Sequence, residues 1–155
     1  MKKPSRKNIR LESWDYSNHA YYHVTICTHQ KQPWLSHIDS RTYEVMLTDI
    51  GTCVDEAIKQ SCSRYPCARV KTYVIMPNHV HTLIAIEEHD VSLGRFIGFM
   101  KSTSTRNARK IYPGIELWQR NYYDHILRGD EDYHATWKYI AENPMKWAAD
   151  DYYIE

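Results

Sequence analysis

The sequence contains no Cys-x-x-Cys pair. Its four cysteines, Cys27, Cys53, Cys62 and Cys67, lack the spacing of a thiolate zinc site, and a disulfide framework is not expected in a chain of 155 residues. They read as buried or incidental free thiols. No run of about 18 apolar residues occurs, so neither a transmembrane helix nor a membrane partner is expected. The basic start, Met1-Lys2-Lys3-Pro4-Ser5-Arg6-Lys7, is not followed by the apolar core of a secretory leader, and a cytoplasmic protein is expected. Glycine is scarce, at five residues, and no Gly/Ser-rich linker, repeat or low-complexity tract interrupts the chain. A single domain over residues 1–155 is the expectation.

Charge of one sign is also missing: the formal net charge is +1. Its distribution is uneven, however. Lys2, Lys3, Arg6, Lys7 and Arg10 form a basic arm, and Lys101, Arg106, Arg109 and Lys110 form a second cluster. Local basic patches can hold a phosphate backbone on a near-neutral molecule, although solvated surfaces give the same pattern. Aromatic residues are plentiful, with thirteen tyrosines and five tryptophans. Exposed rings stack on unpaired bases, and buried ones simply fill a core.

Periodicity predicts the elements. Ala20–Thr28 alternates as a strand, with Tyr22, Val24 and Ile26 on one face and His23, Thr25 and Cys27 on the other. Gln30–Ser40 contains Pro33 and reads as a loop. From Arg41 to about Ser63, Met46, Ile50, Val54 and Ile58 recur every four residues, which predicts an amphipathic helix. Arg69–Met76 and His79–Ile86 read as strands joined at Pro77-Asn78. Leu93, Phe96, Ile97 and Met100 begin a helix reaching to about Arg109. Glu116–Leu127 is strand-like in its middle, and a final helix runs from Asp130 to about Asn143, stopped by Pro144. The fold class is therefore α+β: a ferredoxin-like βαββαβ core with an antiparallel sheet and an added C-terminal helix.

Three segments carry chemical possibilities. His79 and His81 stand two apart on a strand, so both imidazoles project from one face and can converge on a divalent cation, with Val80 turned into the core. A lone His-x-His equally fits hydrogen-bonded surface histidines. Tyr139 and Asn143 stand four apart on the last helix, hence on one face. They offer a phenol and an amide oxygen, or else packing and a helix end. The string Trp118-Gln119-Arg120-Asn121-Tyr122-Tyr123-Asp124-His125 suits either nucleic-acid contact or a mixed edge strand.

Taken together, Met76-Pro77-Asn78-His79-Val80-His81, the Trp118–His125 string, and Tyr139-Ile140-Ala141-Glu142-Asn143-Pro144 with Trp147 resemble a known family. Ile9-Arg10-Leu11, Asp15-Tyr16 and Val24–Thr28 fit the same pattern. The chain resembles the single-tyrosine HUH transposases, specifically the REP-associated tyrosine transposases. The resemblance implies a ferredoxin-like fold and a single-stranded DNA endonuclease and strand transferase acting on hairpin-forming repeats through a covalent 5′-phosphotyrosine. It implies Tyr139 as nucleophile, and His79, His81 and Asn143 as ligands of Mg²⁺ or Mn²⁺. The related insertion-sequence transposases carry Gln where this chain has Asn143. Arg10, Lys101, Ser102, Arg106 and Arg120 are the candidate DNA contacts. The family includes homodimers and monomers, and both states remain open. The alternatives are a rolling-circle replication initiator or relaxase, a domesticated module that binds DNA hairpins without cutting, and a metal-dependent hydrolase of small molecules. The last would not need Tyr139.

Overall fold

The computed structural model describes residues 20–87 and 91–154. The basic arm Lys2–Arg10, with the candidate contact Arg10, lies outside the described residues, as do Ile9, Leu11, Asp15 and Tyr16.

Six strands and three helices follow one another as β1 (Ala20–Cys27), β2 (Ser36–Ile38), β3 (Val45–Leu47), α1 (Asp49–Arg64), β4 (Ala68–Ile75), β5 (His79–Ile86), α2 (Leu93–Ile111), β6 (Tyr123–Ile126) and α3 (Asp130–Glu142). The main sheet has the order β4-β5-β1-β6, every neighbour antiparallel. That is the split βαβ arrangement the element order predicts. Helices α1 and α2 cover one face, where Tyr22, Val24, Ile26, Val80, Ile84, Phe96 and Ile97 make the core. The other face lies under α3. Strand β5 is buried along its whole length because both of its faces are covered.

One predicted boundary differs from the structure. The helix expected from Arg41 begins at Asp49, and the residues before it form a hairpin whose β2 falls in the expected loop and whose β3 falls in the expected helix. Met46, the first member of the four-residue repeat, is 47% exposed on β3. Capping sets the real start: Thr48 accepts the Gly51 amide at 3.0 Å through its hydroxyl. A Cβ on Gly51 would sit 1.9 Å from the Leu35 carbonyl oxygen, so only glycine lets α1 approach the hairpin this closely. The last α-helix ends where expected, at Glu142 ahead of Pro144, and a different helix type follows. Asn143–Ala149 continues as 3-10 turns with Pro144 in the first positions, where a missing N–H costs nothing.

Candidate metal and nucleophile site

Register brings the site together. Cys27 pairs with His79 and Thr25 with His81 across β1 and β5, so these side chains share the sheet face opposite the core. His79 and His81 are both buried there, and Val80 points into the core as alternation requires. Asn78 fixes the first imidazole. Both of its amide hydrogens go to backbone carbonyls, of Lys31 at 3.3 Å and Tyr152 at 2.6 Å. Its oxygen is therefore left to accept from His79 Nδ1–H, at 2.8 Å. The proton stays on Nδ1 and Nε2 is a bare lone pair. His81 is held likewise: its Nδ1 lies 3.0 Å from Thr25 Oγ1 and 3.1 Å from His23 Nε2. Its Nε2 faces the site without a hydrogen-bond partner.

Helix α3 supplies the other side. Asp132 anchors its first turn on β6 by accepting Arg128 N–H at 2.9 Å and meeting His125 Nε2 at 3.0 Å. Thr136 and Ile140 face the sheet, and Asn143, the last residue of the turn, is buried with them. Tyr139 stays 44% exposed. Its ring centroid is 5.2 Å from that of His81 and 5.6 Å from that of His23.

Three buried atoms here have no hydrogen-bond partner: His79 Nε2, His81 Nε2 and Asn143 Oδ1. Partnerless buried polar atoms are costly, and His79 Nε2 and Asn143 Oδ1 present lone pairs. That donor set fits a cation. Asp150 adds a carboxylate: its ligand atom and those of His79 and His81 lie within 4.8 Å of one another. The sequence reading recognised the two histidines, Tyr139 and Asn143, which the structure groups together. It assigned no role to His23, Thr25, Asn78 or Asp150.

The electrostatics agree with a neutral imidazole pair. Burial lowers His79 to about 3, with the Asn143 amide beside it working the other way. Burial also pushes His81 well down, helped by its two neighbouring imidazoles. His23 falls to about 4 for the same reason, burial first and His125 second. Desolvation raises the Asp150 carboxyl. Of the further tyrosines on this face, Tyr152 lies 4.7 Å from the His79 ring, and Tyr123 pairs with Thr25 on the neighbouring strand. Burial raises the Tyr152 phenol above its usual range. Tyr122 and Tyr133 are placed elsewhere: Tyr122 is buried near Gly94, and Tyr133 packs on Tyr21 and Trp137.

Of the expected DNA contacts, Lys101, Ser102, Arg106 and Arg120 line one open groove of about 910 Å³ between α2 and residues 116–120, together with Arg109 and Trp118. Ser102, Arg106 and Arg120 are exposed. Lys101 is turned inward, its ammonium donating to the carbonyls of Gln119 at 2.6 Å and Asn121 at 3.4 Å. No helix among the described residues is long and apolar enough to cross a membrane.

Comparison with known proteins places this geometry. A family model described as IS200-like transposase matches residues 16–143. An uncharacterized protein of Haemophilus influenzae (strain Rd) is 30% identical over 171 residues, covering 97% of this chain and 94% of that one. A second protein of that organism, provisionally named a REP-associated tyrosine transposase, is 32% identical over 110 residues, covering 64% of this chain and 62% of its own. Among solved structures, a REP-associated tyrosine transposase bound to a REP hairpin shares the fold with a TM-score of 0.68 at 19% identity, over 88% of this chain and 73% of that one. A provisionally named transposase of Deinococcus radiodurans R1 gives 0.55 at 17% identity, over 87% and 98%.

Proposed function

The chain belongs to the IS200-like transposase family, and from that premise we propose that it is a metal-dependent single-stranded DNA endonuclease and strand transferase with Tyr139 as its nucleophile. The observation that carries this reading is the grouping of three partnerless buried polar atoms, His79 Nε2, His81 Nε2 and Asn143 Oδ1, beneath the exposed Tyr139 ring.

Each residue has a task. Asn78 keeps the His79 proton on Nδ1, and Thr25 with His23 orients the His81 ring through its Nδ1. These contacts aim both Nε2 atoms into one space, and Asn143 adds its amide oxygen. Mg²⁺ or Mn²⁺ bound there would polarise a phosphate oxygen and offset the charge that builds during attack. The phenol oxygen of Tyr139 forms a bond to phosphorus while the bond from phosphorus to the 3′-oxygen breaks. The phenol proton leaves to solvent, and the departing oxygen becomes a 3′-hydroxyl. The 5′-phosphate remains on Tyr139, and attack by another 3′-hydroxyl reverses the step and rejoins the strand. Burial raises the Tyr152 phenol, which disfavours the phenolate that attack requires.

The substrate we assign is a single strand carrying a hairpin, as in the REP-bound relative of the same fold. Ser102, Arg106, Arg109 and Arg120 offer hydroxyl and guanidinium donors to its phosphates, and Trp118 walls the groove. Lys101 acts from beneath, holding residues 119–121 in place.

Incubation of the protein with labelled single-stranded hairpins from repeats flanking its own gene, in Mn²⁺, tests the reading. A protein–DNA adduct that survives denaturing electrophoresis is expected, with complete loss in Tyr139→Phe and in chelator. Tight hairpin binding with no adduct would instead identify a non-cleaving binding module.

A further inference from the structure

We propose that Asp150 is a carboxylate ligand of the same cation, so that the 143–149 segment is fastened to the metal at both ends, by Asn143 and by Asp150. The inference rests on the metal reading above and extends its ligand set to a residue beyond the helix that carries Tyr139.

The surroundings of Asp150 are one-sided. Oδ1 accepts the Tyr152 amide at 2.8 Å. Oδ2 points the other way and lies 3.7 Å from His79 Nε2, beyond hydrogen-bond distance, while the side chain is 8% exposed. The atom it faces carries no hydrogen, because Asn78 holds the His79 proton on Nδ1. His81 Nε2 and Asn143 Oδ1 likewise make no hydrogen bond of good geometry. A buried carboxylate oxygen set against an imidazole lone pair is repulsive unless something positive stands between them. Among the described residues no lysine or arginine forms an ion pair with Asp150. Lys31, on that side of the molecule, sits over the Tyr152 ring at 5.2 Å.

Distance and chemistry both suit coordination. Two donor atoms, each about 2.0–2.2 Å from one ion, stand roughly 3–4.4 Å apart. The 3.7 Å between His79 and Asp150 falls inside that range, and the 4.8 Å limit on the three donor atoms needs only a small contraction. Two neutral imidazoles and an amide are a poor set for a hard cation, which prefers charged oxygen. Asp150 supplies the one formal negative charge. The chain leaves α3 at Asn143, makes the 3-10 turns, and returns to the same space at Asp150. Metal loading therefore draws on both ends of the segment that follows Tyr139.

The test is titration of the full chain with Mn²⁺, without DNA, by calorimetry. Asp150→Asn keeps the shape and the acceptor for Tyr152 N–H, so its affinity isolates the charge. We expect binding weaker by about tenfold or more, with Asp151→Asn, at the adjacent exposed carboxylate, unchanged. Asp150→Asn binding within about twofold of the parent would overturn the inference. A parent protein that binds no Mn²⁺ would overturn the metal reading itself, a separate result. Independently of any variant, Mn²⁺ should slow amide hydrogen exchange across residues 143–152 in the parent protein. Unchanged exchange alongside measurable binding would also overturn the proposal.

Discussion

Asn78 shows how one side chain can set the chemistry of another. With both amide hydrogens committed to the carbonyls of Lys31 and Tyr152, it has only an acceptor to offer His79. The imidazole is thereby held neutral with Nε2 outward, and burial lowers its proton affinity further. A pH dependence follows. His79, His81 and His23 are all depressed by burial below the ordinary value of 6.5. The unfolded chain therefore binds more protons than the folded one below that value. Stability is full above about pH 6.5 and falls as the pH drops toward about 4. Thermal melts in chelator at pH 7.5 and pH 5 should show a lower midpoint at the acid end, and a flat profile would contradict the neutral assignment. Residue spacing made part of this site legible. His79 and His81 are two apart on a strand, and Tyr139 and Asn143 four apart on a helix, so local geometry alone puts each pair on one face. Thr25 and His23 were not legible as partners of His81, because their contact exists only through the β1–β5 register. Asp150 was invisible for a similar reason: it returns to the site through 3-10 turns that the sequence reading ended at Pro144.

Among the elements, the β2–β3 hairpin and α1 form a unit held by close backbone approach. The Thr48 hydroxyl caps the helix and donates to the Trp34 and Leu35 carbonyls, and Gly51 packs on Leu35 with no room for a methyl group. Gly51→Ala should lower stability by about 1–3 kcal/mol, since either the helix or the hairpin must move to admit the Cβ. Equilibrium denaturation would read this as a lower midpoint at unchanged slope, and an unaltered midpoint would show that the hairpin yields freely. The helix start was misread in this region because Met46 continues the spacing of Ile50, Val54 and Ile58 by coincidence. An apolar residue at 47% exposure contributes to the pattern but not to the core. The four strands of the main sheet and the helices α2 and α3 were legible, because their alternation or 3.6-residue period matches a face that is buried.

Over the whole molecule, the groove and the histidine site are joined at one end of β1. Gln119 N–H donates to Cys27 O, Trp118 bridges to Thr28, and Thr28 N–H donates to Asn78 O, next to His79. Backbone hydrogen bonds thus tie the groove wall to the end of the strand pair that carries His79. Arg106→Ala with Arg120→Ala should weaken binding to any single strand and reduce the slope of log affinity against log salt by roughly one to two. Fluorescence anisotropy across a salt series measures this, and an unchanged slope would move the strand's path elsewhere. The central claim concerns which oxygen meets phosphorus. The most direct measurement is mass spectrometry of the protease-digested protein–DNA adduct after nuclease trimming. The account predicts a nucleotide remnant on the peptide bearing Tyr139. A remnant on any other tyrosine, such as Tyr123 or Tyr152 on that face of the sheet, would contradict it.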